Sequence, residues 1–325
     1  MQINLPLDAE QESYFRSKGW LSSEEEIQSY EKAGEGNMNV VIRLSTSKKN
    51  LILKQSRPYV QKYPQISAPV DRIWTEKAFY DHTSKNGFLS GFSPKILDFD
   101  ENNHLLLLED LGNSSDFMGI YSDNNILKKD EISILIDYLA KLHSSPINTF
   151  PGNQEMKKLN HEHIFIYPFM EDNGFDLDNI QLGLQEISMK FKKDTILKNK
   201  VLELGGKYMK TGTNLLHGDF YPGSWLKTPS GLKVIDPEFS FLGDAEFDLG
   251  VMIAHLKMAK FDPIQIAEVI KKYSDKSSLD ADLLAKYTGV EILRRLIGLA
   301  QLPLKLELNE KLQLADEAAK MIKSP

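Results

Sequence analysis

His217-Gly218-Asp219-Phe220-Tyr221-Pro222-Gly223-Ser224, followed by Leu232-Lys233-Val234-Ile235-Asp236-Pro237-Glu238-Phe239, is the stretch on which the fold turns. The first string is a polar loop that exposes one acid between two glycines. The second is an apolar strand that ends in two carboxylates at i and i+2. An extended chain places i and i+2 on one face, so Asp236 and Glu238 can bind one cation or a pair of cations. With no cysteine and only seven histidines in the chain, hard oxygen ligands favour Mg²⁺ over zinc. Asp219 has no strand of its own, and its loop suits it to orient or deprotonate a substrate hydroxyl. Taken singly, Asp219 reads equally as a turn residue and Asp236-Pro237 as a strand end. Two unrelated turns rarely reproduce both patterns in this order.

The rest of the chain supplies a frame for this segment. Its 325 residues are 41% hydrophobic and 26% charged, a globular balance long enough for two lobes. A formal net charge of −7 disfavours nucleic acid, whose backbone needs a basic face, but leaves room for a nucleotide pocket. No apolar run reaches the length of a membrane span. Met1 to Glu10 lacks the basic-then-apolar layout of a secretion signal. The missing cysteines rule out disulfides and a thiolate nucleophile and are compatible with a reducing cytoplasm.

Ser22 with Glu25 and Ser23 with Glu26 are capping-box pairs that predict a helix start. Met38 to Leu44 and Leu51 to Gln55 read as a strand hairpin, and Asp71 caps a predicted helix running to about Lys85. Pro94 to Phe99 and His104 to Glu109 are two further strands around the turn Asp100 to Asn103. Gly112-Asn113-Ser114-Ser115 reads as a linker. Helical periodicity follows in Ile132 to Leu142, Ile266 to Tyr273 and Leu283 to Leu299. Strands with one helix, then helices around one irregular segment from Thr213 to Phe247, make an α+β arrangement. It predicts an N-terminal lobe over 1–111 and a mainly helical C-terminal lobe over 112–325.

The H-G-D loop, the I-D-P-E strand end and Phe247-Asp248-Leu249-Gly250 resemble the aminoglycoside phosphotransferase and choline kinase superfamily, which has a protein-kinase-like two-lobed fold. Within it, six strings resemble the methylthioribose kinase family. They are the D-P-E-F strand end with its H-G-D-x-x-x-G-S loop, Gly36-Asn37-Met38-Asn39, Lys54 through Val60 (K-Q-x-x-P-Y-V), Asp71-Arg72 with Glu76, Leu108 through Leu111, and Arg294 through Ala300 (R-R-x-x-G-L-A). They occur in the family's order over about residues 30 to 300.

The resemblance implies an ATP- and Mg²⁺-dependent kinase acting on a small-molecule hydroxyl, with a homodimer left open. Asp219 would be the catalytic aspartate, accepting or orienting the hydroxyl proton, and Asp236, Glu238 and Ser224 the metal set. Gly36, Asn37, Asn39, Lys54, Glu76, Glu109 and Leu111 would hold ATP, with Glu76 pairing Lys54. Arg294, Arg295 and Tyr221 would face the acceptor, with Trp225 beside Tyr221 as an apolar wall. Read without the family, Lys54 and Glu76 are as readily surface charges, and the twin arginines as readily pair with acids or reach solvent. Two departures touch the acceptor: Phe220-Tyr221-Pro222 stands where the methylthioribose enzymes have Leu-His-Thr, and the chain is shorter. Another small-molecule kinase of the superfamily and a non-catalytic pseudokinase therefore stay open as alternatives. A protein kinase does not, since no H-R-D, D-F-G or A-P-E string occurs. His161-Glu162-His163 reads as a packing segment, having no third metal ligand nearby.

Overall fold

The computed structural model describes residues 1–34 and 38–324. They form two compact units, Met1–Ser114 with Thr228–Glu238, and Ser115–Lys227 with the chain from Phe239 onward. The sequence suggests a single boundary after Leu111; in the structure the segment that carries Asp236 and Glu238 belongs with the first unit.

The first unit is built on a five-stranded antiparallel sheet. Helix α1 (Ala9–Ser17) precedes strands β1 (Ile27–Lys32), β2 (Val40–Thr46) and β3 (Asn50–Gln55); helix α2 (Arg72–Thr83) and strands β4 (Ile96–Asp100) and β5 (Leu105–Glu109) follow. The strand order is β1-β2-β3-β5-β4. Alternation along the strands explains both faces of the sheet. Ile42, Leu44, Leu51, Leu53, Leu105 and Leu107 point to one side and bury against Phe15 of α1, Trp20 and Leu21. Lys54, one step along β3 from Leu53, therefore projects from the other face. Register pairs Lys54 with Val41 and Leu106, so the ammonium stem runs among apolar neighbours.

The capping-box pairs at Ser22 and Ser23 do not start a helix; β1 begins at Ile27 instead. Glu25 is buried, and its carboxylate accepts from the Ser22 N–H at 3.2 Å and the Thr46 hydroxyl at 2.5 Å. The same side-chain-to-backbone bond that caps a helix here ties a turn to the end of β2. Asp71 precedes α2 as expected but makes no side-chain capping bond.

The second unit is mainly helical: α3 (Lys129–His143), α4 (Gln154–His161), α5 (Leu184–Lys192) and α6 (Thr195–Tyr208), then α7 (Glu246–Met258), α8 (Pro263–Ser274), α9 (Ala281–Ile297) and α10 (Leu308–Lys323). Between α6 and α7, the short strands β6 (Asn214–Leu216) and β7 (Phe241–Gly243) pair antiparallel and bracket the His217 loop. Helix α7 is buried along nearly its whole length. It packs on α9 through Gly250, where an added Cβ would lie 3.0 Å from the Tyr287 side chain and 3.1 Å from the Thr288 nitrogen. That close approach brings His255 of α7 to the helix bearing Glu291, Arg294 and Arg295. No helix among the described residues is long and apolar enough to cross a membrane.

Candidate active site

In the first unit the chemistry centres on Lys54. Its Nζ donates to Glu76 Oε1 at 2.8 Å and lies 2.7 Å from Oε2, and it also donates to Asp236 Oδ1 at 2.5 Å. Lys54 and Glu76 are buried while the Asp236 side chain is 46% exposed. Burial would strip the lysine of its proton, yet Asp236 and Glu76 hold its pKa above the usual lysine value. Glu76 is pushed up to about 7, because its desolvation outweighs the pull of Lys54. Such an ammonium, fixed by one buried acid and reaching a half-exposed one, is suited to phosphate oxygens.

Asp236 and Glu238 are not side by side on an extended strand. Asp236 has φ +62°, a left-handed conformation, and Pro237–Phe239 is a 3₁₀ turn. Asp tolerates that region better than most residues, and the following proline disfavours the right-handed alternative. The turn carries Glu238 inward, where it accepts from Asn39 Nδ2 at 2.8 Å and faces Arg72 Nε at 3.1 Å. Arg72 is fully buried and also donates to the carbonyls of Met38, Arg57 and Pro69. Sequence reading missed Arg72 in this role; the D-R string at the start of α2 was its only signal. Asn39, expected at a nucleotide loop, bridges Glu238 and Arg72 with both ends of its amide. Gly36 and Asn37 lie outside the described residues.

This arrangement tests the expected cation site. No group of three or more His, Asp or Glu among the described residues could hold a metal ion. Asp236 fits a divalent cation, with a half-exposed carboxylate of which one oxygen meets Lys54. Glu238 does not fit as a direct ligand, since its carboxylate is buried and engaged by a guanidinium and an amide. At the end of β5, Glu109 accepts from the Lys95 N–H and Leu111 is half-buried. The adjacent Asp110 meets Arg43 Nε at 2.9 Å and accepts from the Gly112 N–H, which ties the end of β5 to β2.

In the second unit the His217 loop is anchored from below. Asp248 accepts from the backbone N–H groups of His217 at 2.6 Å and Gly218 at 2.9 Å, which holds the loop. Gly218 is required twice over: its φ is +85°, and a Cβ would fall 2.2 Å from the Phe239 carbonyl oxygen. His217 is fully buried and its Nδ1 faces the Asp219 N–H at 3.3 Å, a structural position. The Ser224 hydroxyl donates to the Asp219 carbonyl at 2.8 Å, so the serine braces the loop.

Arg295 approaches Asp219 at 3.8 Å, and its guanidinium lies 5.3 Å over the Tyr221 ring. Behind it, Glu291 accepts from Arg295 Nε at 2.6 Å and Arg294 Nη1 at 2.9 Å. Burial alone would raise Glu291's carboxyl, but the two guanidiniums hold it well below the usual carboxylate range. His255 Nε2 lies 3.2 Å from Glu291, and its Nδ1 bonds the Tyr121 hydroxyl. Burial pushes His255 down to about 4, so the ring is neutral. A carboxylate only accepts, hence Nε2 carries the hydrogen and Tyr121 donates to Nδ1. Tyr121, His255 and Glu291 were not singled out from sequence. Trp225 is fully buried, packed on Phe220, and cannot form a wall for an acceptor. His161, Glu162 and His163 pack rather than ligate: His161 contacts Phe165 and Tyr208, His163 contacts Tyr167, and Glu162 accepts from the Tyr167 hydroxyl.

A family model described as the phosphotransferase enzyme family matches residues 29–283. The chain belongs to this family. Its relatives include a methylthioribose kinase of Exiguobacterium sibiricum, 27% identical over 83% of this chain and 79% of the relative. One from Bacillus mycoides is 23% identical over 88% and 83%. Crystal structures share the fold at lower identity. The choline kinase LicA from Streptococcus pneumoniae superposes with a TM-score of 0.55 at 15% identity, covering 97% of this chain and 99% of that one. Spectinomycin phosphotransferase in complex with ADP and spectinomycin gives 0.51 at 14% identity, covering 98% of each. This phosphotransferase therefore has the α+β, kinase-like fold that its sequence implies.

Proposed function

We propose that this phosphotransferase is an ATP-dependent small-molecule kinase whose acceptor is the anomeric hydroxyl of 5-methylthioribose. The observation carrying the kinase reading is the buried Lys54, held by Glu76 and reaching Asp236. In that reading Lys54 binds the nucleotide phosphates and Glu76 fixes its direction. Asp236 would hold Mg²⁺, which when bound neutralises charge on the phosphates. Asp219 orients the acceptor hydroxyl and takes its proton as the oxygen bonds to the γ-phosphorus and ADP leaves. Arg295, beside Asp219, stabilises charge on the transferred group. A pseudokinase would be expected to lack Lys54, Asp219 or Asp236, and all three are present.

The acceptor reading rests on the relatives' names and on charge. A guanidinium within 3.8 Å of Asp219 already balances the carboxylate that a cationic acceptor such as choline or an aminoglycoside would need as its counter-charge. A neutral sugar meets no such penalty, and the half-buried Tyr221 ring beside Arg295 offers an apolar surface for a thioether. The test is ATP consumption with methylthioribose, ribose, homoserine, choline and kanamycin. Methylthioribose should give the highest kcat/KM, above about 10⁴ M⁻¹s⁻¹. A higher value for choline or kanamycin would overturn the acceptor assignment and leave the kinase assignment standing.

A further inference from the structure

Glu291 stands out among the buried charges because, among the described residues, its bonds go to Arg294, Arg295 and His255 rather than to the His217 loop, and one of these, Arg295, is the cation that meets Asp219. It is 1% exposed and takes two guanidiniums and an imidazole on its two oxygens. Oε1 receives Arg295 Nε, which fixes the edge of the fork and leaves Nη2 turned toward Asp219. Oε2 receives Arg294 Nη1, which neutralises the second arginine. His255 and Tyr121 then hold Oε1 from the other side, through a neutral ring and a hydroxyl.

The charges in the group sum simply. Arg294 and Arg295 are positive, Glu291 and Asp219 negative, and His255 neutral. When a hydroxyl gives its proton to Asp219, one negative charge disappears and Arg295 alone loses a counter-charge. Without Glu291 both arginines would then be unbalanced, and the Arg295 fork would keep only the 3.4 Å bond from Nη1 to the Ala300 carbonyl and its place over the Tyr221 ring. We propose that Glu291 is a positioning residue for the acceptor half of the reaction: it sets the direction of Arg295 at Asp219 and confines the free positive charge to that one guanidinium. This rests on the kinase reading above and adds to it the residue that holds Arg295 in place beside Asp219.

The experiment compares the whole protein with E291Q, E291D and I292V. E291Q removes the charge. E291D keeps it but withdraws the carboxylate by one methylene. I292V perturbs a buried neighbour on α9 that makes none of these bonds. Per folded molecule, measured by circular dichroism and active-nucleotide titration, E291Q should lower acceptor kcat/KM by about 100-fold and E291D by about tenfold. KM for ATP should stay at the parent value in both, and I292V should match the parent throughout. If E291Q does not fold, E291D decides the matter. Parent-like acceptor kinetics in E291D, an ATP KM that rises in step with the acceptor's, or an equal loss in I292V would each overturn the inference while the parent's activity upholds the kinase reading. A parent protein that transfers phosphate to no hydroxyl would overturn that reading and this inference with it.

Discussion

Truncating Lys54 to methionine isolates what the Lys54–Glu76 pair does for folding from what it does for chemistry. At an effective dielectric near 20, two charges about 2.8 Å apart attract by about 6 kcal/mol. The substitution also relieves the lysine's own desolvation, and removing one member of such a buried pair leaves a loss of about 3–5 kcal/mol. The K54M deficit should grow above pH 7. Glu76 is already raised to about 7 by burial, and it rises further without its cation. A raised acid contributes stability that is lost as pH climbs through its folded pKa. In the parent that loss levels off above about 7, whereas in K54M it continues at about 1.4 kcal/mol per pH unit. The companion variant K54M/E76L replaces both charges by apolar groups, and Asp236 stays solvated through its exposed side. It should recover most of the stability and none of the activity. Urea unfolding at pH 7 and 8.5, followed by circular dichroism, reads the first quantity; ATP turnover reads the second. A K54M deficit below about 1 kcal/mol that does not change with pH would refute the reasoning on the pair, and turnover in K54M/E76L would refute the role of Lys54.

Asp219→Ala should reduce kcat by about 10²–10⁴-fold while ADP affinity, measured calorimetrically, stays at the parent value; full turnover would remove Asp219 from the mechanism. Asp236→Asn preserves a residue that tolerates the left-handed backbone at φ +62°, so its effect reports charge alone, and the Mg²⁺ concentration for half-maximal rate should rise; an unchanged Mg²⁺ dependence would exclude it as the ligand. Lowering the pH should cost stability through His255, whose folded pKa of about 4 lies below its unfolded value. The unfolded chain takes up the proton first, so stability present above about pH 6.5 falls by about 2 kcal/mol at pH 5. His255→Gln should remove that part of the slope in urea titrations, and an unaltered slope would contradict a buried neutral imidazole.

The features legible in the sequence are those whose physics is local. The strand over Leu51 to Gln55 was legible, and in the structure it buries Leu51 and Leu53; the two glycines around Asp219 were legible as a loop, and in the structure Gly218 takes a backbone conformation that leaves no room for a side chain beneath Phe239. Local pattern misled where a side chain found a distant partner. Ser22 and Glu25 have helix-cap spacing, but Glu25 is claimed by Thr46, twenty-one residues on. Asp236 and Glu238 have the spacing of a shared ligand pair, but a single left-handed residue turns the chain between them. Asn39, 199 residues away in sequence, receives the carboxylate that was expected to face a metal. The twin arginines show the same limit from the other side. Their identity was visible, and their strength as cations was not, because it is set by Glu291 three and four positions earlier on α9 and by a histidine on α7. A pair of bare arginines would draw any anion. In the proposed mechanism, a pair with one charge already neutralised, and the other 3.8 Å from the acid assigned to take the proton, would gain free positive charge only as that acid is protonated. Its attraction for the transferred group would then grow with the reaction itself, which is the differential binding that accelerates a chemical step rather than merely retaining its product.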